Sequence, residues 1–464
     1  MFQILAFLAG GAQHEIMLFA AFGLVLGGLD DALIDIMFFA RWFWRRAFIY
    51  RRYPPMTTAT LPDAQDRAPI AIFVPAWDES AVIGRMLQDM TRKWGTDRYR
   101  IFVGAYPNDR ATIDIVAAVA GDHPVIMPVI TAHPGPTTKA DCLNALWDAM
   151  LRDEAHGEEC YKAIVLHDAE DVVHPDALRL LDRMCDRFDL VQLPVKPFKS
   201  QYSSWVSGHY LDEFAESHGK YLCVCEAVGA AVPSAGVGCA FSRTALAALA
   251  DELGGRPFDP ASLTEDYEIG LRIAERGGKS AFVRMADAHG DLVCTREHFP
   301  DTLTLAVRQK ARWTVGIALA GWDRMGWGTG IAERWMRLRD RRAALAALIL
   351  FAAYLSLLMQ IPIWLLAMAG APPTIAPSPL LSMLLSATGV LMLWRLAMRM
   401  LFVWRAHGLR QGLLSVPRTF MANLVAILAA RRAIFIYLGT LQGNPLVWDK
   451  TPHVFPNSPA EAGA

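Results

Sequence analysis

From Ala343 to Gly370 the chain carries no charged side chain. At helical rise such a run exceeds the ~20 residues needed to cross a bilayer, so a transmembrane helix is expected here. In lipid a lone span must bond its own backbone, which leaves helix as the only form open to it. The whole chain cannot be of this kind. Of its 464 residues 53% are hydrophobic, yet 20% are charged, a mixture that implies one part in lipid and another in water. The formal net charge of -1 gives no overall reason to expect nucleic acid as a partner. The seven cysteines, of which Cys223 and Cys225 are nearest in sequence, lack zinc or redox spacing and read as reduced thiols.

Two further spans are expected. One runs from Leu380 to Val403, with Arg395 and Arg399 in its latter half. The other runs from Ile16 to Ala40 and contains Asp30, Asp31 and Asp35. An Asp at a span's centre costs ~2.5 to 3.5 kcal/mol, so these acids need partners or water. Asp31 and Asp35 share a helix face and could meet Arg395 or Arg399, or both sets could lie hydrated at the interface. The start lacks a basic region and a small-residue cleavage site, which favours a retained anchor. Basic residues fix the expected orientation: RWFWRRAFIYRR follows the first span and RWMRLRDRR precedes the second, so the segment between them belongs in the cytoplasm. Phe420 to Leu438 is apolar but broken by Arg431 and Arg432, and suits a helix lying in the interface. The expected layout is an anchor over 1–45, a basic linker over 46–66 and a soluble domain over 67–330. A basic juxtamembrane segment over 331–342, two spans over 343–404, an interfacial helix over 405–441 and a cytoplasmic tail over 442–464 complete it. The protein is then a multi-pass membrane protein, in contact with membrane lipid.

Within the soluble part, short apolar runs alternate with amphipathic segments. The runs Ile70 to Ala76, Ile101 to Tyr106, Val125 to Ile130, Ala163 to Asp168 and Leu190 to Val195 read as strands. Strand and helix in alternation predict an α/β fold, a largely parallel doubly wound sheet, whose ligands bind at the carboxyl ends of strands.

Three groups of residues could carry chemistry there. Asp168, Glu170 and Asp171 follow a strand and offer hard oxygen ligands that suit Mg2+ or Mn2+. The plain alternative is a polar turn that caps the next helix. Thr264, Glu265 and Asp266 open a helical segment, where a hydroxyl cap and two acids are also ordinary. Gln309, Arg312 and Trp313 come before the membrane: an arginine can hold a diphosphate and an indole can stack on a sugar, while lipid headgroups are the rival explanation.

In this order the three groups resemble the signature of processive family 2 glycosyltransferases, which include cellulose, chitin and hyaluronan synthases. Gln309-Lys-Ala-Arg312-Trp313 matches the family's QxxRW element, Thr264-Glu265-Asp266 its TED element, and Asp168-Ala-Glu170-Asp171 resembles its DxD metal motif. Val74 to Glu79 looks like the opening strand and nucleotide turn, and Asn108-Asp109 like a second such turn. Lys139, Ala140 and Asn144 look like the GKAxALN helix, and Gly236, Gly238 and Phe241 like the acceptor-side loop. Glu170 replaces the second Asp of DxD, Asp78 an Asn, and Thr138 a Gly. The tail Trp448 to His453 and the Asp-rich first helix look like a narrower subgroup, the bacteriophage adsorption protein B type of inner-membrane glycosyltransferase.

The resemblance implies a GT-A-like, Rossmann-like catalytic domain flanked by transmembrane helices, and a metal-dependent inverting transfer. The donor would be a nucleoside diphosphate sugar, UDP-linked, and the acceptor a glycan or a lipid-linked molecule, in exopolysaccharide or cell-envelope polysaccharide synthesis. Asp266 would be the general base, with Glu265 and Thr264 beside it. Glu79, Asp109, Lys139, Asp168, Gln309 and Arg312 would bind the donor; Trp313, Gly236 and Gly238 would face the acceptor; Asp168 with Glu170 or Asp171 would hold the metal. Three spans are few for a polymer channel, which implies a separate export partner or transfer of one sugar to a polyprenyl phosphate. An inactive scaffold with the same fold is the alternative of another class.

Overall fold

The computed structural model describes residues 2–95, 98–157, 159–200, 202–369, 377–443 and 454–456. Most of the uncharged loop 371–379 and the whole tail motif Trp448 to His453 lie outside the described residues.

All five expected strands form. They are β1 (Ile70–Pro75), β2 (Tyr99–Ala105), β3 (Ile126–Ile130), β4 (Ala163–Leu166) and β5 (Leu190–Gln192). The last run stops early because Pro194 has no N–H to give to a ladder; Val195 opens a separate strand, β6 (Val195–Pro197). Three short strands were not foreseen: β7 (Cys239–Ser242), β8 (Ser280–Phe282) and β9 (Thr295–Glu297). The seven-stranded sheet has the order β3-β2-β1-β4-β7-β5-β8, and β7 runs antiparallel to both its neighbours, so the sheet is mixed. β6 and β9 pair in parallel as a separate two-stranded ribbon.

Helices cover both faces of the sheet, and the strand period of two sorts the core. Ile70, Ile72 and Val74 of β1 pack with Met86, Leu87 and Met90 of α2 (Ile83–Trp94). Ala71 and Phe73 point the other way, against Leu143, Leu146, Trp147 and Met150 of α4 (Lys139–His156). Between them in sequence lies α3 (Arg110–Asp122). The chain then supplies α5 (Val206–Glu216), α6 (Glu265–Glu275), α7 (Leu303–Thr314) and α8 (Ile331–Arg341).

Among the described residues four helices are long and apolar enough to cross a membrane: α1 (Phe2–Trp44), α9 (Ala343–Met368), α10 (Pro379–His407) and α11 (Leu409–Leu441). Large apolar side chains such as Phe22, Leu348 and Met383 stand exposed on the first three, as lipid-facing residues would. α11 is different. It touches the α/β domain through Arg418 to Asp212 (2.6 Å), through Ala429 and Ala433 against Ala311 and Val315, and through Tyr437 to Asp323 (2.5 Å). At helical rise these contacts extend over about 28 Å.

The acids of α1 are bonded. Asp30 meets Arg342 at 2.7 Å and Trp335 Nε1 at 2.7 Å, and also pairs with Arg339. Asp31 is held by Arg339 (2.9 Å), Arg342 (2.7 Å) and Arg395. Asp35 takes Lys220 (2.5 Å) and Trp394 Nε1 (3.0 Å), while Arg399 goes to Glu216 (2.8 Å). The pairing expected with α10 therefore holds for Asp31 and Arg395. Lys220, Arg339 and Arg342 come from outside the spans, which puts these acids at the junction with the α/β domain.

Candidate active site

At the carboxyl end of β4 the backbone makes a tight turn. Asp171 braces it: Oδ2 accepts from the Asp168 backbone N–H at 3.1 Å and lies 2.6 Å from His167 Nδ1. Burial pushes His167 down to about 3 and the Asp171 carboxyl up, driving both towards their neutral forms. Asp171 does not line the cavity above the turn, whereas Asp168 and Glu170 do.

Lys139 stands at the first position of α4, where Thr138 caps the helix by accepting from the Asp141 N–H at 3.2 Å. Its Nζ lies 2.6 Å from Asp168 Oδ1. Burial works against its charge, but Asp168, Glu265 and Asp266 together hold its pKa above the ordinary value.

Thr264 precedes α6, yet its hydroxyl makes no capping bond and its buried Oγ1 has no partner. The capping explanation for this triplet therefore fails for the hydroxyl. Burial raises the pKa of Asp266 while Lys139 opposes the rise; Glu265 is pushed up to about 7 by burial and by the charge of Asp266. Gly236 adopts φ 77°, and a Cβ there would strike the Asp266 carboxylate. Only glycine permits that close approach.

Gln309, Arg312 and Trp313 fall at i, i+3 and i+4 of α7, on one face. Gln309 Oε1 and Arg312 Nε are buried and have no hydrogen-bond partner. The Trp313 ring meets Tyr210 edge-on at 6.3 Å, with Lys310 Nζ 4.9 Å from its centre.

All three motifs thus open on one cavity of about 230 Å³, joined by Glu79 from the end of β1. Asp109 lies outside the lining. It caps α3 and accepts from the Asp78 N–H at 2.6 Å, so it shapes the turn that carries Glu79. Gly236 and Gly238 also lie outside the lining, although Ala235 and Val237 belong to it; at Gly238, φ 58°, the Thr295 hydroxyl fills the side-chain space. Glu297, His218 and Phe299 are among the lining residues that escaped the sequence reading. Glu297 closes β9, so the rule that singled out Asp168 would have found it had β9 been recognised.

Asp168, Glu170 and Glu297 bring three carboxylates to this cavity. Burial raises the Glu297 pKa, and the charges of Asp171 and Asp168 raise it further. Among the described residues no group of three or more side chains is closed into a metal cage. Mg2+ or Mn2+ needs only one or two carboxylates plus substrate phosphates, so the residues present fit such an ion.

Two curated relatives from Escherichia coli, bacteriophage adsorption protein B of strain K12 and bacteriophage N4 adsorption protein B of O157:H7, are each 40% identical over 456 residues, covering 93% of this chain. The chain spans 61% of their length. Among solved structures, a mannosyltransferase from Pyrobaculum calidifontis in complex with GDP-Man and Mn2+ superposes with a TM-score of 0.53 at 17% identity. That likeness covers 90% of this chain and 99% of the other, and it shows a shared fold. The model of glycosyltransferase-like family 2 matches residues 68–316, more than half of the chain and all of the sheet. The chain belongs to that family.

Proposed function

We propose that the chain is a membrane-bound inverting glycosyltransferase. It moves a sugar from a nucleoside diphosphate sugar, UDP-linked in our reading, to a hydroxyl of a glycan or lipid-linked acceptor in cell-envelope polysaccharide synthesis. One observation carries the reading: the Asp266 carboxylate, the Lys139 and Arg312 cations and the Trp313 indole meet in one cavity.

Asp266 takes the acceptor's proton as its oxygen bonds to the anomeric carbon from the face opposite the departing diphosphate, which inverts the configuration. Burial holds the Asp266 carboxyl above its usual range and so makes it a better base. Gly236 leaves the room that this carboxylate occupies. Arg312, whose buried Nε–H has no partner, stabilises charge on the leaving diphosphate; Gln309 assists by donating from its amide nitrogen, and Lys139 orients the group. Trp313 stacks on the acceptor sugar. Asp168 and Glu170 would hold Mg2+ or Mn2+, with Glu297 nearby, and a divalent ion there supplies charge neutralisation for the diphosphate. The Pyrobaculum protein of like fold was solved with a nucleotide sugar and Mn2+.

In the membrane, α1, α9 and α10 cross, and α11 lies along the interface beneath the catalytic domain. Its contacts with that domain over about 28 Å leave no length to traverse lipid. The domain faces the cytoplasm by the distribution of basic residues, and a separate partner exports the product.

A donor screen on the purified chain in detergent, following diphosphate release with and without Mn2+ or Mg2+, tests this reading. Metal-dependent turnover of one nucleotide sugar, lost in Asp266→Asn, is the expected result. If no donor turns over with membrane extract supplied as acceptor, the reading is wrong.

A further inference from the structure

Behind the catalytic cavity lies a larger one of about 500 Å³, and the β6/β9 ribbon is the wall between them. Side chains on a strand alternate faces. Val195 and Glu297 face the catalytic side, while Lys196 and Arg296, paired in the ribbon's register, face the second cavity. Lys199 joins these two cations, and Asp301 is the one carboxylate in the described lining.

Among the described residues none of these three cations forms an ion pair within 4 Å, and Asp291 acts on Lys196 only from farther off. The Arg296 guanidinium sits 4.1 Å from the centre of the Phe198 ring, and its buried Nε has no hydrogen-bond partner. Burial holds the pKa of Lys196 and of Arg296 below their usual values, and the guanidinium depresses Lys196 further. Half-buried, unpaired cations are costly unless an anion meets them. His407 and Gln411, from the junction of α10 and α11, line the same space and bring it next to the membrane helices.

We propose that this second cavity binds a phosphate-bearing ligand, its anionic group held between Lys196, Arg296 and Lys199. Guanidinium offers a bidentate fork and ammonium a point charge, the usual combination for phosphate oxygens. Two sources share this chemistry: the headgroup of an anionic phospholipid and a soluble phosphate compound.

The test uses the full chain in detergent without divalent ions. Native mass spectrometry follows adducts of phosphatidylglycerol against phosphatidylcholine, and calorimetry follows inorganic phosphate. In Lys196→Gln/Arg296→Gln, binding of one anionic probe is expected to weaken by about tenfold or more. Loss of the phosphatidylglycerol adduct, with phosphatidylcholine unchanged, identifies a lipid site; loss confined to phosphate identifies a soluble ligand. Lys199→Gln, at an exposed position, should lose up to about threefold and serves if the double variant does not fold. Should the folded variant bind both anionic probes as wild type does, the proposal is overturned.

Discussion

Two sets of acids lie within this molecule, and they are treated in opposite ways. Asp30, Asp31 and Asp35 of α1 are bonded to arginines, a lysine and indole N–H groups. The candidate active-site cavity brings together six carboxylates (Glu79, Asp168, Glu170, Glu265, Asp266 and Glu297), with Lys139 and Arg312 as the lysine and arginine of its described lining. Burial and mutual repulsion raise the pKa of Glu265 and Glu297, whereas the α1 acids are neutralised by contact. The difference separates charge that joins a helix to a domain from charge left for what the proposed function brings to the cavity, a substrate and a metal.

That contrast can be broken by substitution. Asp266→Asn should cut turnover by ~100-fold to 10,000-fold and leave the thermal midpoint near wild type; a variant that unfolds instead would erase the distinction. Asp35→Asn should do the reverse. Removing one partner of a buried pair costs about 3–5 kcal/mol, read as a lower midpoint in detergent, with turnover per folded molecule retained. Gly236→Ala should cost roughly 1–2 kcal/mol for the left-handed backbone and lower turnover by about 10-fold to 100-fold as the Asp266 carboxylate is displaced. The smallest effect is expected from pH. Glu265 holds its proton up to about 7 in the folded chain but only to its ordinary 4.5 when unfolded, so stability falls as pH rises between these values. The midpoint of Glu265→Gln should therefore gain on wild type between pH 5 and pH 8.

Much of this was legible in the sequence because period and spacing are local. The strands up to Gln192 and the carboxylates that follow them could be read off apolar runs, and QxxRW lies on one helical turn. What escaped depended on distant segments. β7 and β9 are only four and three residues long, and each exists because a remote strand offers a ladder. Glu297 was lost with β9, and Asp109 was assigned to the donor because nothing local reveals that its carboxylate accepts from the Asp78 backbone. Asp171, one of two alternative ligands beside Asp168, is turned inward by His167, a partner whose burial only the fold discloses. The Asp30 and Asp31 partners on α8 and Asp35's Lys220 are likewise more than 180 residues away.

The seam between α7 and α11 has a practical outcome for anyone wishing to cut this chain. A fragment of residues 67–330, the soluble piece suggested by composition, would lose Ala429 and Ala433 from the back of the QxxRW helix and Arg418 from Asp212. It would be left with a bare apolar strip and an orphaned buried carboxylate. The unit that folds is a discontinuous one, assembled from both ends of the chain, and excision at the obvious linker is expected to yield aggregate.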